Sequence, residues 1–288
     1  MRPAEKGIAQ SVRQRLLNRA RETGEDYNLL LNRYAIERLL YRLSQSRHAD
    51  QFVLKGAMLF TVWTGAMHRP TRDLDLLGFG EPSEERLIGI FREICNQAVV
   101  EDGMRFEAET ITGAPIREEN AYAGIRLRIR TALGNAQLNV QVDVGFGDVI
   151  TPGAVITRYP TLLDQPAPQL GMYTPESVIA EKLEAIVSLG QVNSRMKDFH
   201  DIWVLLQEFT LEDVAITRAI RATFERRGTT IPLEAPVGLT EEFARDTARQ
   251  KQWAAFLRRS GLDETPSLLY VVDILRKRLL PLLARPAK

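Results

Sequence analysis

Two aspartates separated by a single residue stand out in the segment Thr71-Arg72-Asp73-Leu74-Asp75-Leu76. In an extended strand alternate side chains share one face, so Asp73 and Asp75 should point together while the leucines point into a core. Two carboxylates this close repel each other unless a cation lies between them. Mg²⁺ suits such a site, because it binds one or two protein carboxylates together with substrate phosphates. A solvated edge strand would, however, carry the same residues.

Two other segments offer groups that suit phosphate chemistry. Lys55-Gly56-Ala57 follows a short apolar run, and glycine at a strand-to-helix turn lets the backbone approach a ligand closely. The amides that open the next helix would then face an anion. Asp143 lies on the polar face of a later strand and supplies a third carboxylate if that strand neighbours Asp73 and Asp75. Each segment alone is weak evidence, since plain turns and surface aspartates are common.

The elements that must position these residues follow from hydrophobic periodicity. In the first half of the chain we predict a helix over 26–43, a strand over 52–54, a short helix over 58–63, a strand over 73–77, a helix over 83–98 with Ser83 as its cap, and a strand over 105–111.

A hairpin is predicted next, because residues 125–130 and 138–144 alternate strictly between apolar and polar and Gly134-Asn135 between them is a turn signal. Its first strand places Arg126, Arg128 and Arg130 on one face. These arginines could contact phosphates, or they could protect a sheet edge.

Helical periodicity dominates the second half of the chain. We predict helices over 175–189, 197–209, 211–227, 240–259 and 266–283, with a loop over 228–239 and a proline-containing linker over 150–174. The fold class is therefore α+β, with an α+β lobe over 1–165 followed by a helical lobe over 166–288.

Several motifs occur in an order that resembles a known family. They are Lys55-Gly56-Ala57, Arg69, the segment from Thr71 to Asp75, Gln141-Val142-Asp143-Val144-Gly145-Phe146-Gly147-Asp148, the stretch from Pro175 to Ala185, and the stretch from Arg195 to Ile202. Together they resemble the DNA polymerase β-like nucleotidyltransferases and, within these, the AbiEii/AbiGii toxin family that includes the MenT-type toxins.

The resemblance implies a polymerase β-like lobe with a mixed or antiparallel sheet, and a role for each matching residue. Two Mg²⁺ ions would be held by Asp73, Asp75 and Asp143. The nucleotide would be bound by Lys55, Gly56, Ala57, Arg72 and Lys182, and the catalytic residues would be Asp73, Asp75, Lys182 and Asp198. Position 57 departs from the pattern, because the wider superfamily usually has Ser or Gly there and Ala57 offers no hydroxyl.

Helical spacing alone, without the resemblance, allows other interpretations of Lys182 and Asp198. Lys182 borders an apolar helical stripe with no acidic residue three or four positions away, so its stem could simply lie along that stripe with its head in water. Asp198 and Asp201 share one helix face. They could pair with Arg195 or Lys197, cap the helix, or face the site, where Asp198 would orient either a substrate hydroxyl or Lys182.

The activity implied by the resemblance is that of a toxin. It would transfer a nucleoside monophosphate from an NTP to the acceptor end of tRNA and so block translation. The favoured donor is CTP or another pyrimidine NTP. A cognate AbiEi-like antitoxin is the implied protein partner. A phosphate on Thr71, beside the aspartates, is one hypothesis for inhibition, against a plain loop threonine. Two other classes stay open: a metal-dependent nuclease or phosphoesterase, and a catalytically inactive partner-binding module.

Composition is compatible with this activity. No window of about 18 apolar residues occurs, so we expect no membrane segment, and Cys95 is the single cysteine, as in a reduced cytoplasmic protein. The net charge is +1, yet residues 1–50 and 241–288 each carry +4 while the middle carries −7. Basic ends such as Arg258-Arg259 could contact a polyanion, although solvated helix faces give the same pattern.

Overall fold

The structure is a computed structural model that describes residues 3–116, 124–262 and 264–285, and for residues 3–6 the backbone alone. The chain divides into two compact units. The first is Met1–Gly147 with Val155–Met172, and the second is Asp148–Ala154 with Tyr173–Lys288. That 1–165 and 166–288 form separate domains stays a prediction.

In its described residues, the first unit combines four α-helices with a sheet. Its helices are α1 (Pro3–Thr23), α2 (Tyr27–Gln45), α3 (Leu59–Thr64) and α4 (Glu84–Cys95). Its strands are β1 (Phe52–Lys55), β2 (Asp73–Gly78), β3 (Met104–Phe106), β4 (Thr112–Ile116), β5 (Gly124–Leu133), β6 (Ala136–Phe146), β7 (Val155–Arg158) and β8 (Gln169–Met172).

The eight described strands form one mixed sheet in the order β3-β5-β6-β2-β1-β8-β7, with β4 also paired to β5. Strands β2 and β6 run parallel, as do β1 and β8, and the other pairs are antiparallel. The predicted hairpin is confirmed as β5–β6, with Leu133 opposite Ala136 across the turn. The α+β class is likewise confirmed.

One face of the central strands is apolar and buried. Leu74 and Leu76 on β2 are inaccessible to solvent, as are Val140, Val142 and Val144 on β6. Each buried side chain of this size stabilises the fold by about 1.5–3 kcal/mol. This alternation fixes which way the polar residues of the same strands point, so Asp73, Asp75 and Asp143 lie on the opposite, partly exposed face.

The second unit is helical. Its helices are α5 (Pro175–Leu189), α6 (Met196–Glu208), α7 (Asp213–Arg227), α8 (Glu241–Arg245), α9 (Thr247–Ser260) and α10 (Leu268–Leu283). Thr174 caps α5 by accepting the Ser177 amide, and Pro175 occupies the first turn, where its missing N–H costs nothing. None of the described helices is long and apolar enough to cross a membrane.

Three element predictions are wrong. The strand over 105–111 ends at Phe106, because Ala108–Thr110 forms a short 3-10 turn in which the Thr110 hydroxyl donates to the Glu107 carbonyl at 2.7 Å. The linker over 150–174 contains β7 and β8. The helix over 240–259 is two helices, because Asp246 leaves the helical conformation and its carboxylate accepts the Arg249 amide at 3.0 Å, capping α9.

Candidate functional site

Four charged residues lie in one row across four adjacent strands of the first unit. Strand pairing sets Lys55 opposite Asp75, Asp75 opposite Asp143, and Asp143 opposite Arg126. Directly paired residues point to the same side of a sheet. The row therefore reads cation, carboxylate, carboxylate, cation across β1, β2, β6 and β5, and two of the three predicted metal ligands are neighbours within it.

The third aspartate begins the next row along the same face. Asp73 is paired with Gln141, and Gln141 with Arg128. Thr71 turns the chain into β2, because its hydroxyl accepts the Asp73 amide at 3.4 Å and donates to the Asp73 carbonyl at 3.3 Å. Arg72, between them, is exposed. The structure thus brings Asp73, Asp75 and Asp143 together, as the sequence predicted.

The turn after β1 is built tightly against one aspartate. Gly56 has a φ of 78°, and a Cβ atom at this position would lie 2.1 Å from Asp75 Oδ2. Only glycine fits here, because both the left-handed conformation and the close contact exclude a side chain. Ala57 is buried, and α3 beyond it has six residues, too short to concentrate much helix dipole. Nucleotide binding by the Gly56-Ala57 turn stays a prediction.

Arg126 holds one of the three carboxylates. Its Nε donates to Asp143 Oδ1 at 2.8 Å and its Nη2 to Oδ2 at 2.6 Å, a two-pronged, charge-assisted contact. The hydrogen bonds that Arg126 donates to Asp143 raise the pKa of Arg126, and the charges of Asp143, Asp73 and Asp75 raise it further. The charge of the Arg126 guanidinium therefore interacts with all three predicted metal ligands.

The donor set of this face suits Mg²⁺ in part. Asp73 and Asp75 supply carboxylate oxygens from one side of β2, and a magnesium site needs no more than two carboxylates when substrate phosphates and waters complete the shell. Asp143 gives both oxygens to Arg126 instead. Across the described part of the chain, no three His, Cys, Asp or Glu side chains are arranged as a metal site. The residues thus fit a two-carboxylate site, and ligation by Asp143 stays a prediction.

The second unit contains Lys182 and Asp198, which with Asp201 and Arg195 form an ionic group, the Lys182 cluster. Lys182 Nζ on α5 lies 2.8 Å from Asp198 Oδ1 and 2.9 Å from Asp201 Oδ2, both on α6. Asp198 is completely buried and also pairs with Arg195, whose Nε is 2.8 Å from Oδ2. Burial acts to raise the pKa of Asp198, but Lys182 and Arg195 outweigh it, and the pKa lies below its usual value.

This geometry distinguishes between the alternative interpretations of Lys182 and Asp198. The ammonium of Lys182 does not simply reach water from an apolar stripe, since two carboxylates from the next helix hold it. Its partners lie 16 and 19 positions along the chain, beyond any spacing within one helix. Asp198 contacts Lys182, as one of its two predicted roles requires, but the role itself stays a prediction. Catalysis by either residue stays a prediction.

Sequence reasoning missed a buried ionic network in the second unit. Arg227, at the end of α7, donates to Asp148 at 2.8 and 3.1 Å and to Glu184 at 2.6 Å. Burial acts to lower the pKa of Arg227, but the charges of Glu181 and Asp148 raise it above its ordinary value. Asp148 and Glu184 lie within the motifs that carry the family resemblance, so the sequence indicated their importance. No sequence pattern indicated a role for Arg227.

Comparisons with known proteins agree with this architecture. JHP933 from Helicobacter pylori is similar with a TM-score of 0.52 and 11% identity, over 90% of this chain and 93% of that one. A second H. pylori protein, described as a candidate nucleotidyltransferase, has a TM-score of 0.51 and 12% identity, over 90% of this chain and 99% of its own. At such identities the likeness concerns the fold. Comparison with curated protein sequences gives no match.

Comparison of the sequence with protein families assigns the chain more specifically than the likeness in fold does. Residues 38–276 match the family described as nucleotidyl transferase AbiEii toxin of type IV toxin–antitoxin systems. This range includes Lys55, the aspartates of β2 and β6, and the Lys182 cluster. The match over most of the chain, with the paired carboxylates on a partly exposed sheet face inside the matched range, leads to one assignment: the chain belongs to the AbiEii family of nucleotidyltransferase toxins.

Proposed function

We propose that this protein transfers a nucleoside monophosphate from an NTP to RNA, with tRNA acceptor ends as the target and CTP or another pyrimidine NTP as the donor. The observation that carries the proposal is the carboxylate pair Asp73 and Asp75, backed by a buried apolar face and flanked by Lys55. Such a face offers oxygens to a cation and an ammonium to a phosphate. Family membership supports nucleotidyl transfer, and the acceptor is the added proposal.

The chemical step exchanges one phosphorus–oxygen bond for another. A hydroxyl of the RNA acceptor attacks the α-phosphorus of the NTP, the bond to the bridging oxygen breaks, and pyrophosphate leaves with its electrons while the hydroxyl proton passes to solvent. Asp73 and Asp75 would hold Mg²⁺, which would supply charge neutralisation at the phosphates and a lower pKa for the attacking hydroxyl. The protein contributes mainly position and charge, as in phosphoryl transfer generally.

Each proposed residue has a defined task. Asp73 and Asp75 would hold the cation, and Asp143 would be a third ligand only if it gave up part of its contact with Arg126. Lys55 binds the triphosphate as a point charge. Arg72, exposed before β2, and the Gly56-Ala57 amides bind the same phosphates. Lys182 is a further phosphate-binding residue, and Asp198 is the positioning residue that fixes its ammonium.

The biological consequence follows from the acceptor. A tRNA whose acceptor end has been extended cannot be aminoacylated, so translation stops, and the cell needs an antitoxin to survive. We propose an AbiEi-like cognate antitoxin as the partner. Because NTPs and tRNA meet in the cytoplasm, we place the activity there.

The test is an extension assay with purified protein, Mg²⁺ and tRNA, run separately with each of the four NTPs. Lengthened tRNA with a pyrimidine NTP supports the proposal. Shortened tRNA would instead identify a nuclease, and release of inorganic phosphate without a change in RNA length would identify a phosphoesterase. If no NTP binds in the presence of Mg²⁺, the chain is an inactive binding module.

A further inference from the structure

Strand β5 carries an arginine at every second position from 126 to 130. Arg126, Arg128 and Arg130 share the face that holds the aspartates, because β5 and β6 are paired in register. The strand lies inside the sheet, between β6 on one side and β3 and β4 on the other. Protection of a sheet edge, one of the two predicted reasons for these arginines, is therefore wrong, and the polar row needs another explanation.

The three arginines differ in what surrounds them. Arg126 is committed to Asp143. Arg128 and Arg130 are exposed, and their partners across β6 are the uncharged amides Gln141 and Asn139.

On the other side of β5, the described strands β3 and β4 contain no acidic residue. Thr112 on β4 lies opposite Arg128. Glu107 donates its backbone amide to the Arg130 carbonyl at 2.9 Å, and its carboxylate is 3.2 Å from Arg105. The exposed guanidinium groups of Arg128 and Arg130 thus lie beside neutral hydrogen-bonding side chains. The three aspartates lie on the same face of the sheet.

Strand geometry gives the spacing of this row. Asp73, Gln141 and Arg128 are successive partners on three strands, so the Cα atoms of Asp73 and Arg128 are about 10 Å apart, two strand spacings. Arg130 lies about 7 Å further along β5. The two guanidinium groups therefore form a line that leads away from the carboxylates, within reach of a chain whose end lies at Asp73.

We propose that Arg128 and Arg130 bind backbone phosphates of the RNA acceptor and lead its terminal hydroxyl to Asp73 and Asp75. The inference rests on the proposed function and deepens it by naming where the acceptor lies. A guanidinium matches a phosphate with two parallel hydrogen bonds, which fixes orientation as well as charge. Gln141 and Asn139, the direct partners of these arginines on β6, are uncharged, and the Gln141 amide also donates to Asp143 at 3.5 Å. Neither arginine therefore has a carboxylate as its direct partner on β6.

The experiment compares two double variants. R128Q/R130Q removes the proposed contacts, and R258Q/R259Q removes the same charge from exposed positions at the end of α9, the rival basic surface. RNA binding is measured by titration of a labelled tRNA at several salt concentrations, transfer by the extension assay, and NTP affinity with Mg²⁺ by calorimetry.

We expect R128Q/R130Q to weaken RNA binding about tenfold or more at low salt and to reduce the slope of log K against log salt by about 1.4 to 1.8, two phosphate contacts. NTP affinity and the melting temperature should be unchanged. R258Q/R259Q should have a much smaller effect on binding and slope.

Equal effects of the two double variants, or unchanged RNA binding by R128Q/R130Q, would overturn the inference. Because binding is measured apart from transfer, the proposed function is judged separately. A wild-type protein that binds tRNA through Arg128 and Arg130 but extends it with no NTP would contradict nucleotidyl transfer while leaving the contacts in place.

Discussion

At position 56 only glycine fits beside Asp75. The sequence suggested a close backbone approach to a ligand at Lys55-Gly56-Ala57, and the structure shows that the closest approach is to the carboxylate of Asp75 itself. The glycine is thus part of what positions this carboxylate. Periodicity could not reveal this contact, because it depends on the antiparallel register of β1 and β2, which sets Lys55 opposite Asp75.

Gly56→Ala should lose both stability and activity, whereas Gly65→Ala should lose stability alone. Both glycines have a positive φ, 78° and 75°, so alanine costs about 1–2 kcal/mol at either position. Gly65 has no atom within 4 Å of a built Cβ, but the Cβ at position 56 would strike Asp75. Thermal unfolding and nucleotide transfer separate the two effects. Equal activity in the two variants would show that the contact with Asp75 is irrelevant.

Arg126 competes with cations for the aspartates, so Arg126→Gln should bind divalent metal more tightly. Removing a positive charge that senses Asp143, Asp73 and Asp75 favours a cation at the same carboxylates, and we expect an increase in affinity of about tenfold, ~1.4 kcal/mol. Arg128→Gln, on the same strand but opposite Gln141, is the control and should change affinity less. Calorimetric titration with the metal alone measures both, and a lower affinity in Arg126→Gln would contradict competition.

At the scale of elements, alternation proved the most informative signal. It predicted β2, β5 and β6 and the face on which Asp73, Asp75 and Asp143 lie. It could not predict that β2 runs parallel to β6, because that pairing joins segments about 70 residues apart through contacts that no local pattern encodes. The short strands β7 and β8 were missed because they lie among the prolines of residues 150–174, which favour a loop interpretation.

Helix periodicity predicted single helices but not the contacts between them. It predicted α5 and α6 closely, yet it could not show that Lys182 on α5 is held by Asp198 and Asp201 on α6. Such partners depend on how two helices pack, and spacing within one helix carries no such information. The division between α8 and α9 was missed for a related reason, since the capping contact of Asp246 ends one helix and begins another.

The α5–α6 cluster gives a prediction about stability. Asp198→Asn should lower the free energy of unfolding at pH 7 by about 3 kcal/mol, because a completely buried carboxylate loses its charge, which weakens its contact with Arg195 and leaves Asp201 as the remaining charged partner of Lys182 on α6. Asp273→Asn, which removes a partly exposed carboxylate from α10 that also pairs with basic side chains, should change stability little. Urea denaturation measures both variants.

The effect of Asp198 should also depend on pH. Its pKa in the folded protein lies below the ordinary 3.8, so its stabilising contribution is fully present above pH 3.8 and is lost as the pH falls through the folded-state pKa. The difference in stability between the wild type and Asp198→Asn should therefore be constant near neutral pH and shrink in strong acid. A difference that grows below pH 3.8 would contradict this assignment.

For the whole molecule, substrate binding should appear as thermal stabilisation. A ligand that binds only the folded chain at 100 times its Kd stabilises it by about 2.7 kcal/mol, which raises the Tm by several degrees for a protein of this size. We expect this shift with NTP and Mg²⁺ together, and its loss with EDTA. Differential scanning fluorimetry with each NTP measures it. An identical shift in the presence of EDTA would argue against a metal-dependent site.

The most direct test of the carboxylate face is the incorporation of labelled nucleotide into tRNA by Asp75→Asn. The amide keeps the shape of the side chain in the row between Lys55 and Asp143 but removes its charge, so we expect a folded protein with transfer reduced at least a thousandfold. Asp50→Asn, at an exposed position outside the sheet, should retain wild-type transfer. Transfer by Asp75→Asn at the wild-type rate would contradict the assignment of nucleotidyl transfer to these aspartates.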